Sequence, residues 1–315
     1  MKTNDAASKP KAFSNVLFSL VLIGSLFISG LSFAEKKDWF KSLQNALQSV
    51  SEGGNTSVLD NVVSNTLSSG VQIYVVIQTA VAIDSNAVDQ VLKSITRVTK
   101  DPGNVVKSSI LANIPVPMVL SSVLSASTET ETIIASAINA GAPIETVMSS
   151  CLKAGAQPMV VVSACIASSR NISGVVEASV KTGVPPNALL QAALSNNIKD
   201  LDQVVSAYIN AGGDVNRITA AAIDMGSDTC AIIAAALSSS NEYHQVVKAA
   251  LEMNVSANQI MECAAKVPTI DKKALASAIE TAQAALAYTP PDNRRGRQRR
   301  DNMHRERRRG NVSVY

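Results

Sequence analysis

The chain has 315 residues, of which 46% are hydrophobic, 17% charged and 3% aromatic, and its formal net charge is +3. This composition is that of a folded chain rather than a disordered one. Four cysteines without CxxC or Cys/His spacing exclude a disulfide-rich scaffold and a zinc module, and two histidines leave little material for acid–base chemistry. We therefore predict no cofactor and no metal site.

The first 34 residues have the features of an export signal. Three lysines precede an apolar run over residues 16–31, which is short for a membrane helix that needs roughly 20 residues. Ser32 and Ala34 then place small side chains where a signal peptidase requires them. We predict cleavage after Ala34 and a periplasmic, envelope-associated or extracellular location. The alternative is an uncleaved membrane anchor over residues 16–33.

Residues 35–57 are predicted to form an N-terminal capping helix followed by a loop. Apolar side chains recur at helical spacing through residues 38–50, and Asp38 is placed to cap the amino end. Trp39 is expected to anchor this cap by packing rather than to bind a ligand.

Residues 58–288 are organised by a 14-residue period. Fifteen positions, called here the closing residues, follow one another in twelve steps of 14 and two steps of 15 residues. They are Gly70, Asp84, Thr99, Asn113, Ser127, Gly141, Gly155, Ser169, Gly183, Asn197, Gly212, Gly226, Ser240, Asn254 and Pro268. Eight and seven residues before each one stands an apolar pair, of which Thr219 is the only polar member. The position four before is usually small, and the position three before is usually aliphatic.

This pattern predicts short amphipathic helices that stack. The four recurring positions fall on one stripe of a helix, and a helix of about ten residues is too short to be stable alone in water. We predict an all-α fold, an α-solenoid of about fifteen short helices paired in antiparallel 28-residue hairpins, with a capping helix at each end. The Gly and Asn closing residues are expected to end helices in the left-handed conformation. The alternative is a β architecture, because residues 71–83 and 158–162 are rich in Val and Ile.

The carboxyl-terminal part changes from apolar to strongly basic. Residues 271–287 are predicted to form an Ala-rich terminal helix, and residues 289–315 a disordered tail with nine arginines against three acidic side chains. The arginines are candidate polyanion-binding residues, because guanidinium groups bind phosphate or carboxylate in a bidentate manner. They are Arg294, Arg295, Arg297, Arg299, Arg300, Arg305, Arg307, Arg308 and Arg309. No aromatic residue interleaves them, so specific nucleic-acid recognition is not expected.

Export would place the four cysteines in an oxidising compartment, where disulfides can form. Cys151 and Cys165 occupy the small position of consecutive helices, so a bridge between them is one hypothesis and two buried free thiols are the preferred interpretation. Cys230 and Cys263 lie two helices apart at opposite ends of their units, so we expect them not to pair.

The sequence contains no catalytic motif of the kinds that mark hydrolases, metalloproteases or phosphate-binding loops. The leading hypothesis is an exported, non-enzymatic helical-repeat scaffold that presents an extended surface to a protein or polysaccharide partner. One alternative is a self-assembling structural subunit. A second is a polyanion- or membrane-surface adaptor that acts through the basic tail. A third is a hydrolase whose groups are spread over distant residues.

Overall fold

A computed structural model describes residues 33–169 and 171–287, and within these ranges the chain is helical, without any strand. This confirms the predicted all-α solenoid and excludes strands over the Val-rich segments. A single 3₁₀ turn, Ser85–Ala87, precedes the fourth α-helix. The helices are α1 (Phe33–Ser51), α2 (Thr56–Ser68), α3 (Ile73–Ile83), α4 (Val88–Thr99), α5 (Pro102–Leu111), α6 (Val116–Ala126), α7 (Thr130–Asn139), α8 (Ile144–Lys153), α9 (Pro158–Ser168), α10 (Ile172–Lys181), α11 (Pro186–Ser195), α12 (Leu201–Asn210), α13 (Val215–Asp224), α14 (Thr229–Ser239), α15 (Tyr243–Glu252), α16 (Ala257–Ala265) and α17 (Lys272–Ala287).

The helices form two layers because each repeat helix packs most extensively on a helix two positions away along the chain. Helices α2, α4 and their even-numbered successors to α16 make one layer, and α3, α5 and their odd-numbered successors to α17 make the other. Consecutive helices touch across the layers. The fifteen repeat units correspond to α2–α16, flanked by α1 and α17.

The apolar pair of each unit forms the core between the layers. Both members are at most 2% exposed in thirteen units, from Val76-Ile77 in α3 to Val246-Val247 in α15. The two exceptions are at the ends: Val62 in α2 and Met261 in α16 are half-buried. The first residue of the pair is therefore uncovered where no unit precedes it, and the second where no unit follows. In the inner units, the first residue packs toward the preceding unit and the second toward the following one.

Turns of two kinds close the helices. Nine Gly or Asn closing residues have positive φ, as predicted, with Lys100 filling the same role after Thr99. At Gly141, for example, the backbone N–H donates to Ile138 O at 2.9 Å, and Ala142 N–H donates to Ala137 O at 3.0 Å. The second kind uses an extended Asp or Ser whose side chain accepts a hydrogen bond from the N–H two residues ahead. It occurs at Asp84, Ser127, Ser169 and Ser240.

The terminal helices differ from the inner ones in what they expose. In α17, Leu275 is buried as the first member of an apolar pair, but the second position is Ala276, which is exposed. The side chain of Asp271 accepts hydrogen bonds from Lys273 N–H and Ala274 N–H, which caps α17. An alanine where inner helices carry an aliphatic side chain reduces the apolar surface at the open end.

The amino-terminal cap is longer than predicted. Helix α1 begins at Phe33, so Asp38 lies inside the helix and is not its N-cap; its carbonyl accepts a hydrogen bond from Ser42 Oγ at 2.9 Å. Trp39 is half-buried against the core. Most of the predicted signal peptide and the whole basic tail lie outside the described residues. Among the helices that are described, none is long and apolar enough to span a membrane.

A buried hydroxyl in α13 provides a test of the packing. Thr219 is fully buried and its Oγ1 has no hydrogen-bond partner. An unpaired buried hydroxyl costs about 1–3 kcal/mol, so Thr219→Val should raise the free energy of unfolding by about 1 kcal/mol, measured by urea denaturation. Thr281→Val is the control: Thr281 is exposed, and this variant should change stability by less than about 0.5 kcal/mol. A destabilised T219V protein would contradict the assignment of this position to the apolar pair.

Candidate functional site

Polar contacts between neighbouring even-numbered helices run diagonally. Ser122 Oγ in α6 donates to Asp89 Oδ1 in α4 at 2.7 Å, across 33 residues of sequence. A sulfur–sulfur bond joins Cys230 in α14 to Cys263 in α16 across the same separation. Two units span only 28 or 29 residues, whereas these contacts span 33. The start of one helix therefore lies beside a later turn of the next helix in its layer.

The residue ten before the closing residue of an even helix makes these contacts, and we call it the link residue. In α2 the link residue is Asp60, which accepts hydrogen bonds from Arg97 Nη2 at 2.7 Å and Nε at 3.1 Å. In α8 it is Glu145, whose Oε2 lies 3.4 Å from Lys181 Nζ. With Asp89 and Cys230, four of the seven steps in the even layer are linked in this way.

Two of the acidic link residues, Asp60 and Asp89, have a lowered pKa. Partial burial alone would raise the pKa of Asp60, but the Arg97 guanidinium holds it below its ordinary value. Asp89 is similar, since burial is outweighed by hydrogen bonds from Lys93 and Ser122 and its pKa is lowered. Their stabilising contribution is therefore present at neutral pH and is lost as the pH falls through the lowered values.

The step from α6 to α8 is open. The link residue of α6 is Pro117, which has no polar side chain. On α8, the two positions that receive links elsewhere are occupied by Ser150 and Lys153. Lys153 is exposed and makes no ion pair with any residue that the structure describes, in contrast to Arg97 and Lys181 at the equivalent position.

A groove occupies this open step. A cavity of about 400 Å³ lies between the two helices. Its lining residues are Pro117, Ser121, Glu145, Thr146, Ser149, Ser150, Lys153 and Ala154. Ser121 Oγ and Ser150 Oγ donate to carbonyls of their own helices at 3.0 and 2.7 Å. Ser149 Oγ has no hydrogen-bond partner among the described residues and is available to a ligand.

A second cavity of about 690 Å³ adjoins the first, with Ala154 lining both. It lies between an extended turn closed by Ser127 and a left-handed turn closed by Gly155. The segment 127–132 contributes Glu129, Glu131 and three threonines. Together the two cavities form what we call the α6–α8 groove, which offers hydroxyl groups, carboxylates and one unpaired ammonium.

An ion pair holds one carboxylate of the groove in place. Lys181 donates hydrogen bonds to Glu177 and Glu145, which raise the pKa of its ammonium group, and it holds both carboxylates. His244 is exposed on α15, outside the groove. Within residues 33–169 and 171–287, no group of three or more His, Cys, Asp or Glu side chains could hold a metal ion.

The cysteine pairing differs from the sequence-based expectation. Cys230 and Cys263 form a disulfide with a Cα–Cα distance of 4.9 Å, so the expectation that they do not pair is wrong. It assumed that neighbouring helices of a layer lie in register, whereas the diagonal contact brings the second residue of α14 beside the seventh of α16. The bridge considered between Cys151 and Cys165 is absent, and both are buried free thiols.

Groove residues were not recognisable from the sequence alone. The candidate polyanion-binding residues Arg294, Arg295, Arg297, Arg299, Arg300, Arg305, Arg307, Arg308 and Arg309 lie outside the described residues. The signal for the groove was a proline ten residues before Ser127, where every other even unit carries a polar side chain or a cysteine. That signal acquires meaning only once the two layers are known. The chain matches no known family model and no curated protein sequence.

Thiol labelling tests the cysteine assignment. Burial raises the pKa of the Cys151 and Cys165 thiols to about 12, which lowers the thiolate population about a thousandfold at neutral pH. The folded chain should therefore resist alkylation, and the chain unfolded without reductant should accept two labels. After reduction it should accept four. Mass spectrometry of peptides would contradict the pairing if Cys230 or Cys263 were labelled before reduction.

Proposed function

We propose that this protein is an exported, non-enzymatic scaffold that holds a partner protein on its repeat array, with the α6–α8 groove as the contact site. The observation that carries the proposal is the open step between α6 and α8. There a hydroxyl-lined groove and an unpaired lysine replace the intramolecular link found at the neighbouring steps.

Two further features support this function. The disulfide between Cys230 and Cys263 is of the kind that forms in oxidising compartments, which agrees with the export signal expected in residues 1–34. A stack of short helices also presents a long surface whose shape is fixed by the core, and such surfaces are commonly used to bind proteins.

Self-assembly end to end is less well supported. Glu280 and the small side chain of Ala276 lie exposed on α17, at the positions where an inner helix would cover a following unit. The tail remains a second candidate site, because nine arginines against three acids can hold a protein at an anionic surface.

Site-specific photocrosslinking tests the docking site. A photoreactive residue in place of Ser149, in the groove, should give a defined adduct with a partner protein in the cells that produce the chain. The matched control replaces Ser173, which is exposed on the same layer at α10, and should give none. Equal adducts from both positions, or none from either, would refute the groove as the contact site.

Removing the arginines tests the tail separately. Deletion of residues 294–309 should abolish retention on anionic vesicles, and the retention of the full chain should fall as salt is raised. Retention that survives the deletion would assign vesicle binding to the helical body.

N-terminal sequencing of the exported form should begin at Glu35, and an intact amino terminus would favour the anchor.

A further inference from the structure

We infer that the α6–α8 groove recognises a single carboxylate side chain of a partner polypeptide, which pairs with Lys153. This inference rests on the proposed function and specifies the chemistry of its partner. The partner's acid would occupy the place that the protein's own link residue occupies at other steps.

The comparison of equivalent positions carries this inference. Arg97 and Lys181 each stand two residues before a closing residue, and each binds the acidic link residue of the preceding even helix. Lys153 stands at the same position of α8, but its preceding link residue is Pro117. The array therefore provides the cation of a pair at this step and omits the acid.

Glu145, the acid that lines the same cavity, is not the missing partner of Lys153. Glu145 lines the same groove, but it lies eight residues before Lys153 on α8, about 12 Å along the helix axis by the rise per residue. Its carboxylate is directed to Lys181 at 3.4 Å. Lys153 therefore remains the cation available to an incoming group, with the hydroxyl of Ser149 one turn away as a second donor.

Charge at the edge of the groove favours a lone carboxylate over a polyanion. Glu129 and Glu131 line the adjoining cavity, so a chain with many negative charges would be repelled there. A polypeptide with one acidic side chain avoids that repulsion. Its backbone could then bond to the threonines of residues 128–132. The cavity beside Lys153, of about 400 Å³, is in the size range of ligand pockets.

A designed pair of variants tests the role of the missing acid. Pro117→Glu restores an acidic link residue and should occupy Lys153 from within the chain. The substitution is compatible with the helix, because position 117 lies in the first turn of α6, where an acid is favourable. Ser173→Glu is the matched control, since it adds the same acid at the link position of α10, where the facing residue is Asn210 rather than a cation.

Binding would be followed residue by residue with NMR on the full chain. The probe is a capped hexapeptide, Gly-Gly-Glu-Gly-Gly-Gly, with its Gln analogue and a trigalacturonate as comparisons. Because tail arginines attract the same carboxylate, only amide shifts in residues 149–154 count. The Glu peptide should shift them saturably, and the affinity should fall at least about tenfold in P117E and K153Q but less than twofold in S173E.

Three results of the titrations would overturn the inference. These are equal binding of the Glu and Gln peptides, unchanged binding in P117E, and binding of trigalacturonate alone. P117E should also shift the Lys153 side-chain resonances without any peptide. S173E should leave these resonances unshifted, which would confirm that the new acid acts locally. Crosslinks from position 149 that persist in K153Q would leave the proposed docking function intact while rejecting carboxylate recognition.

Discussion

Mutual burial of aliphatic pairs between helices that are too short to persist alone is the interaction on which the whole molecule depends. Each repeat helix of nine to thirteen residues loses most of its helicity as an isolated peptide. Packing against the next helix but one removes both members of the pair from water, and each buried aliphatic side chain contributes about 1.5–3 kcal/mol. Stability therefore belongs to the contacts between units, which makes every inner helix dependent on two neighbours in its own layer.

The sequence was sufficient to predict the succession of stacked helices but not how neighbouring helices of a layer lie against each other. Periodicity located the fifteen helices and the left-handed turns, because burial and glycine conformation leave direct marks on residue choice. The relation of Cys230 to Cys263 and of Pro117 to Lys153 depends on how neighbouring helices cross, which is set by the sizes of many packed side chains together. The same limit applies to Ser127, since a serine at a closing position is compatible with either kind of turn.

The α6–α8 groove lies where the pattern of link residues is interrupted. At the steps from α2 to α4 and from α8 to α10, the acidic link residue forms an ion pair with a basic side chain of the next helix in the layer. Where it is replaced by proline, the same backbone arrangement leaves a groove and an unpaired cation. The array can thus acquire a groove and an unpaired cation where a single side chain changes, with no change to the core that maintains its shape.

The alternation of layers also restricts how such a chain can lengthen during evolution. Gain of one 14-residue unit would reverse the parity of every helix downstream, so that side chains selected for one surface would emerge on the other. Duplication of two units preserves parity and hence the assignment of each helix to its face. An insertion of two helices is therefore the smallest one that keeps every downstream helix in its own layer.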